Sequence, residues 1–150
     1  SIPEHTFFVT NWFSEDEICR FHHVEKGTEA YLQMLQKYAE AMRRMNQNVF
    51  FIQLDEQCVV NREPYEFDFE YLTQMISCCF EQGMQYMELG VLLDRGFLPD
   101  GMPDMYTDRF TCSMAKDVPV DSFKGYEITV RFVPSLAAYL KKYGWEKLQR

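Results

Sequence analysis

The sequence predicts an α/β fold of about three strand–helix units with parallel strands and a long loop after the third strand. Three observations predict it. Short runs rich in strand formers alternate with helical stretches along the 150 residues. Two of those runs, "NVFFIQL" and "QYMELGVLL", are apolar on both faces, which suits strands covered by helices rather than strands with one wet face. The glycine stop Gln82-Gly83-Met84 passes the chain directly from a helix to the next strand. Connections of βαβ type are right-handed, so three such units fit an open doubly wound sheet or part of a (β/α)8 barrel.

Taken in order, "HTFFVTNWF" (His5 to Phe13) is a candidate buried strand. Ser14 and Glu17 then form an S-x-x-E capping box that opens a helix through about His22. A second helix starts after Gly27 with Thr28 as its N-cap, and Tyr31, Leu35, Tyr38, Met42 and Met45 give it a one-sided apolar stripe. Asn48 to Leu54 is the second strand, followed by a polar loop holding Pro64. Asp68 is placed to cap a third helix with Leu72, Met75, Ile76, Cys79 and Phe80 inward, and Met84 to make the apolar contact after its Gly83 stop.

Gln85 to Leu93 is the third strand. A long connection from Asp94 to about Lys124 carries three prolines and a short hairpin around "RFTCSM". The closing helix runs from about Tyr126 to Tyr143, kinked or restarted at Pro134. Its end, Tyr143-Gly144-Trp145, repeats the form of Gln82-Gly83-Met84, so a fourth strand is expected next.

Composition narrows the function. A net charge of −8 with no run of Lys or Arg argues against nucleic acid and anionic membrane surfaces as partners. No apolar run approaches the roughly 18 residues that span a bilayer, and the start lacks the basic region of a signal peptide, which leaves the compartment open. Cys19, Cys58, Cys78, Cys79 and Cys112 lack metal-type spacing and read as reduced, mostly buried thiols. His22 and His23 lie at a helix end without further ligands nearby in sequence. Asp94, Asp100, Asp104 and Asp108 lack the order of a calcium loop. There is no phosphate loop, nucleophile elbow or C-x-x-C, and no cofactor is expected. The aromatic share, 16%, leaves core packing and flat ligand clefts both open as uses.

The segment "FVPSLAAYLKKYGWEKLQ" resembles the closing segment of the DUF4091 domain, the (β/α)8-barrel catalytic domain of glycoside hydrolase family 123. In the same order, "TEAYLQMLQKYAEAMRRMNQNVFFIQL" is similar to a family helix, turn and strand, and "FDFEYLTQMISCCFEQGMQYMELGVLLDR" to the next helix and strand. The resemblance covers nearly the whole chain, but only the Phe-Asp-Phe entry, the Glu-x-Gly strand end and the Gly-Trp stop are distinctive. It implies the N-terminal portion of a TIM-type barrel. It also implies hydrolysis of a terminal β-linked N-acetylhexosamine, with N-acetylgalactosamine the family's known case. The mechanism would be substrate-assisted and retaining, with the sugar's own acetamido group as nucleophile.

In that family the acid pair lies in an Asp-Glu-Pro motif on the strand after Gly-Trp. No Asp-Glu or Glu-Asp pair here is followed by Pro, so no catalytic residue is expected within this sequence. The partners implied are an N-acetylhexosaminide substrate, the remainder of the barrel and flanking β-sandwich domains; export is implied by the resemblance alone.

Barrel enzymes put function at the C-terminal ends of strands. The substrate-binding candidates are therefore Trp12 after the first strand, Asp55 after the second, and Glu88 and Arg95 at and after the third. Each has a plainer alternative: a buried aromatic under the Ser14 helix, a solvated loop carboxylate, and a structural pair of Glu88 with Arg95 or another barrel residue. Glu88 stands out because a carboxylate in an apolar strand costs free energy unless it is paired or functional. A reading from another class is a complete small α/β module that binds a carbohydrate or partner through the 94–124 loop without chemistry. A third is a barrel relative with a changed substrate.

Overall fold

The computed structural model describes residues 7–90, 92–96, 98–100 and 102–147. Along the chain run α1 (Glu15–His22), α2 (Glu29–Arg44), β1 (Val49–Gln53), β2 (Val59–Arg62), β3 (Tyr65–Phe67), α3 (Thr73–Glu81), β4 (Tyr86–Gly90), β5 (Leu93–Asp94), β6 (Thr111–Cys112), β7 (Ala115–Pro119) and α4 (Phe123–Lys142). They group into two compact units. One takes residues up to Ile52 together with Tyr71–Leu89; the other takes Gln53–Glu70 and Gly90–Glu146.

In the first unit, the Ser14 hydroxyl accepts from Glu17 N–H at 3.3 Å and opens α1, while the Glu17 carboxylate turns to Arg20 instead of closing the box. Thr28 Oγ1 accepts from Tyr31 N–H at 3.3 Å and opens α2. The buried stripe of α2 is Tyr31, Leu35, Ala39 and Met42. Ala39 takes a place expected of Tyr38, which is half-buried, and Met45 is exposed at the helix end. The opposing face of α3 buries Met75, Ile76 and Cys79. Tyr31 donates its hydroxyl to Glu15, and burial, then that carboxylate, hold the phenol well above its usual range.

β1 lies beside β4 in a small parallel sheet, and α3, which packs on α2, meets one face of it through Phe80. Phe50, Ile52 and Met87 are fully buried, with Phe50 edge-to-face on Phe80 of α3 at 5.1 Å. Full burial of such side chains is worth roughly 1.5–3 kcal/mol each. The expected first strand is corrected. Its described part, residues 7–13, touches β1 through a single parallel bridge, Thr10 to Val49, and is largely exposed. Residues 7–12 are exposed and Phe13 is half-buried, so the described part is not a buried strand; His5 and Thr6 lie outside the described residues.

Parallel pairing stops there. The loop expected around Pro64 is an antiparallel hairpin of β2 and β3, with a cis Glu63–Pro64 bond at its turn. β5, β6 and β7 form a separate antiparallel sheet, which contains the expected hairpin near "RFTCSM". The two-residue turns of β2–β3 and β6–β7 allow only antiparallel pairing, since a parallel pair needs a crossover of a dozen or more residues. The third strand is shorter than expected: β4 ends at Gly90, Val91 lies outside the described residues, and Leu93 belongs to the other sheet. Asp68 accepts from Glu70 N–H at 2.9 Å and so caps the one-turn 3-10 helix before α3 rather than α3 itself.

α4 is one helix that continues through Pro134. Its Phe132 meets Phe67 and Phe69 edge-on at 5.2 and 5.5 Å. The two glycine stops have the same geometry. At Gly83 (φ +88), Met84 N–H reaches Cys79 O at 3.2 Å and Gly83 N–H reaches Phe80 O at 2.9 Å. At Gly144 (φ +73), Trp145 N–H reaches Leu140 O at 2.8 Å and Gly144 N–H reaches Lys141 O at 3.1 Å. Both are Schellman motifs.

Gly125, in the first turn of α4, is required for a different reason. A Cβ there would stand 2.5 Å from Pro119 O and 2.6 Å from Val120 O, both rigid backbone atoms. Gly125→Ala should therefore lower unfolding free energy by about 2 kcal/mol, although alanine is the better helix former. Denaturant titration checks this, and an unchanged midpoint would show that the α4 entry is looser than described.

Candidate functional site

The site starts from the turn that ends α2. Asn46 adopts φ +62, Gln47 N–H returns to Met42 O at 3.0 Å, and the chain enters β1 with Gln47 and Asn48 buried. Buried primary amides must find partners, and these find them in the first segment of the chain. Asn48 Oδ1 accepts from Val9 N–H at 2.8 Å, and its Nδ2 donates to Phe7 O at 2.9 Å. Gln47 Nε2 donates to Val49 O at 2.8 Å and to Asn11 O at 3.3 Å. Val9 O in turn accepts from Asn48 and Val49 N–H, both at 3.1 Å. Residues 7–11 thus lie along β1 mainly through two side chains, where a regular strand would use a ladder.

On the other side, the Asn48 carbonyl accepts from Gln85 and Tyr86 N–H at 2.9 and 3.0 Å, which sets the register of β4. Alternation along strands then sorts the side chains. Phe50, Ile52 and Met87 point to the helices. Phe8, Trp12, Phe51, Tyr86 and Glu88 share the opposite face, where Phe8 meets Tyr86 edge-on at 5.1 Å. Trp12 lies two residues past the Thr10 bridge and stacks on Phe51, with centroids 4.6 Å apart and planes inclined by 20°. Its Nε1–H donates to Glu88 Oε2 at 3.1 Å.

Trp12 was open to reading as a buried aromatic, yet it is 59% exposed: one indole face rests on Phe51 and the side chain remains accessible. Glu88, the central residue of β4, is half-buried and has the indole N–H as a partner. Such an arrangement offers a flat, apolar, accessible indole surface whose N–H is held by a carboxylate, a surface on which the C–H face of a ring can stack.

Asp55 and Arg95 belong to the second unit. Asp55 caps the 3-10 turn after β1, its carboxylate accepting from Gln57 N–H at 2.9 Å and its carbonyl from Cys58 Sγ at 3.0 Å. Burial, then the Asp55 carboxylate, push the Cys58 thiol up to about 12. Arg95 is exposed, and its guanidinium donates to Met105 Sδ at 3.2 Å. Glu56 accepts from Lys116 N–H at 3.3 Å. His22 Nε2 lies 3.1 Å from the Tyr38 hydroxyl, and His23 closes α1 at φ +53. Among the described residues no group of three or more His, Cys, Asp and Glu could hold a metal ion, and no helix is long and apolar enough to cross a membrane. All five cysteines are free thiols; Cys58, Cys79 and Cys112 are buried.

Sequence reasoning missed Gln47 and Asn48 as the pair that positions Trp12. The available signal was two adjacent amides at the mouth of an apolar strand, where ordinary loop residues would serve.

No family model matches the chain, and no curated protein does. Among solved structures, the chain is similar to a family 123 glycoside hydrolase from Clostridium perfringens whose structure was analysed for glycolipid glycan hydrolysis. The TM-score is 0.63 at 15% identity, over 92% of this chain and 27% of that one. At that identity the likeness is one of fold. The chain spans about a quarter of the length of that hydrolase.

Asn48→Ala would leave Val9 N–H and Phe7 O without their side-chain partner. It should cost about 2 kcal/mol of stability and speed hydrogen exchange at the Val9 amide by at least about tenfold. Unchanged Val9 exchange would mean that the segment is held some other way.

Proposed function

We propose that this chain forms the N-terminal strand–helix part of a (β/α)8 glycoside hydrolase similar to family 123, with Trp12 forming one wall of its sugar pocket. The observation that carries the reading is the Trp12–Phe51–Glu88 group, an accessible indole on the sheet face turned away from α2 and α3. In a (β/α)8 barrel the helices lie outside and the opposite sheet face lines the interior, whose C-terminal mouth holds the active site. β4 pairs with β1 alone among the described residues, which leaves its far edge for the fourth strand expected after Gly144-Trp145.

The reaction in this reading is hydrolysis of a terminal β-linked N-acetylhexosamine on a glycan such as that of a glycolipid. The 2-acetamido oxygen attacks C1 as the leaving group departs, and water then restores the β configuration. The acid pair that protonates the leaving group and steadies the acetamido group would come from a following Asp-Glu-Pro strand, outside this sequence. The residues here would give binding: Trp12 packs on the ring's C–H face and holds the sugar equally in the ground and transition states. Asp55 and Arg95, in the second unit, are kept in this proposal only as candidates for glycan binding.

The full-length protein should hydrolyse an aryl N-acetyl-β-galactosaminide with retention, and the 150-residue chain alone should not. Trp12→Ala should raise KM about tenfold, the loss expected for one stacking contact, and leave kcat within about threefold. Turnover by the isolated chain, or none by the full-length protein on aryl N-acetyl-β-galactosaminides and glucosaminides, would contradict the proposal.

A further inference from the structure

We propose that Glu88 is a positioning residue that acts through Trp12, fixing the in-plane orientation of the indole, and does not itself hold the sugar. The inference rests on the carbohydrate reading above. Two restraints act on this indole, and they differ in kind. Stacking on Phe51 at 4.6 Å and 20° sets the plane of the ring but leaves its direction within that plane almost free. A half-turn of the side chain preserves the ring-on-ring contact and sends Nε1 to the opposite edge. An indole N–H is a donor only, so its bond to Glu88 Oε2 at 3.1 Å selects one of those orientations.

Such a restraint is needed here because Trp12 is 59% exposed and sits just past an isolated bridge, outside any regular ladder. Asn11, its neighbour, is held through the single Gln47 amide bond at 3.3 Å. Neighbouring packing therefore does little to settle the rotamer, and a polar contact from 76 residues away does so. The same bond gives the carboxylate of β4 a partner, which answers why an apolar strand carries one.

Three variants of the full-length protein separate this role from direct sugar contact. Glu88→Gln keeps an acceptor oxygen, Glu88→Ala removes it, and Trp12→Ala removes the platform. The probes are N-acetylgalactosamine binding by calorimetry and 19F NMR of protein labelled with 5-fluorotryptophan. The Trp12 resonance is assigned by its loss in Trp12→Phe, and circular dichroism confirms that each variant is folded. Glu88→Ala should broaden or shift the Trp12 resonance without ligand and weaken binding about tenfold, while Glu88→Gln restores the resonance and keeps affinity within about threefold. The double variant Trp12→Ala/Glu88→Ala should bind no worse than Trp12→Ala.

The proposal is overturned if the Trp12 resonance ignores Glu88→Ala, or if the two alanine losses add. If wild type binds no sugar, the carbohydrate reading fails, and the unliganded 19F spectra alone then uphold or overturn the role given to Glu88.

Discussion

Two buried amides, Gln47 and Asn48, are the constraint on which the candidate site depends. Residues 7–13 are too exposed and too weakly paired to be held by a strand ladder; among the described residues a single bridge, at Thr10, is all that segment makes. The Asn48 side chain satisfies Val9 N–H and Phe7 O, and its backbone carbonyl receives Gln85 and Tyr86 on the other side. One residue thus fixes the segment before Trp12 and the start of the strand carrying Glu88. With an unpaired buried polar group costing about 1–3 kcal/mol, the pairing is enforced as strongly as the loss of a large core side chain.

The helices supply the other half of the positioning. Capped by Thr28, α2 lays Tyr31, Leu35, Ala39 and Met42 against α3, whose Phe80 meets the buried Phe50. Side-chain alternation then leaves no choice for Phe51 and Glu88: they face away from the helices. A slip of one residue in β1 or in β4 would exchange the faces of that strand and separate Trp12 from the partner it carries, Phe51 or Glu88. Buried packing on one side therefore sets the chemistry presented on the other.

Features set by neighbours in sequence were legible in it. The Ser14 and Thr28 caps, the α2 and α3 faces, the apolar β1 and the two Gly-aromatic or Gly-Met stops all depend on residues within a few positions of one another. Features set at long range were not. The β2–β3 hairpin was hidden because "VVNREPYEF" is mostly polar, and Pro64 suggested a loop rather than the turn of a hairpin. The first strand looked buried because Phe7, Phe8 and Val9 are apolar, yet burial depends on what packs against a strand's faces, which local composition does not record. Trp12 and Glu88 were singled out separately, for position and for an out-of-place charge. Their hydrogen bond spans 76 residues, and the partner expected for Glu88 was Arg95 or another barrel residue.

The likeness to part of a family 123 glycoside hydrolase is one of fold; in the proposed function a sugar ring rests on an indole whose plane is set by Phe51 and whose direction is set by Glu88. The most direct measurement is a crystal structure of the full-length protein soaked with N-acetylgalactosamine. The expected result is a pyranose ring against the accessible face of Trp12, with the indole still on Phe51 and its N–H on Glu88. A sugar bound elsewhere, or an indole turned away from Glu88, would contradict it.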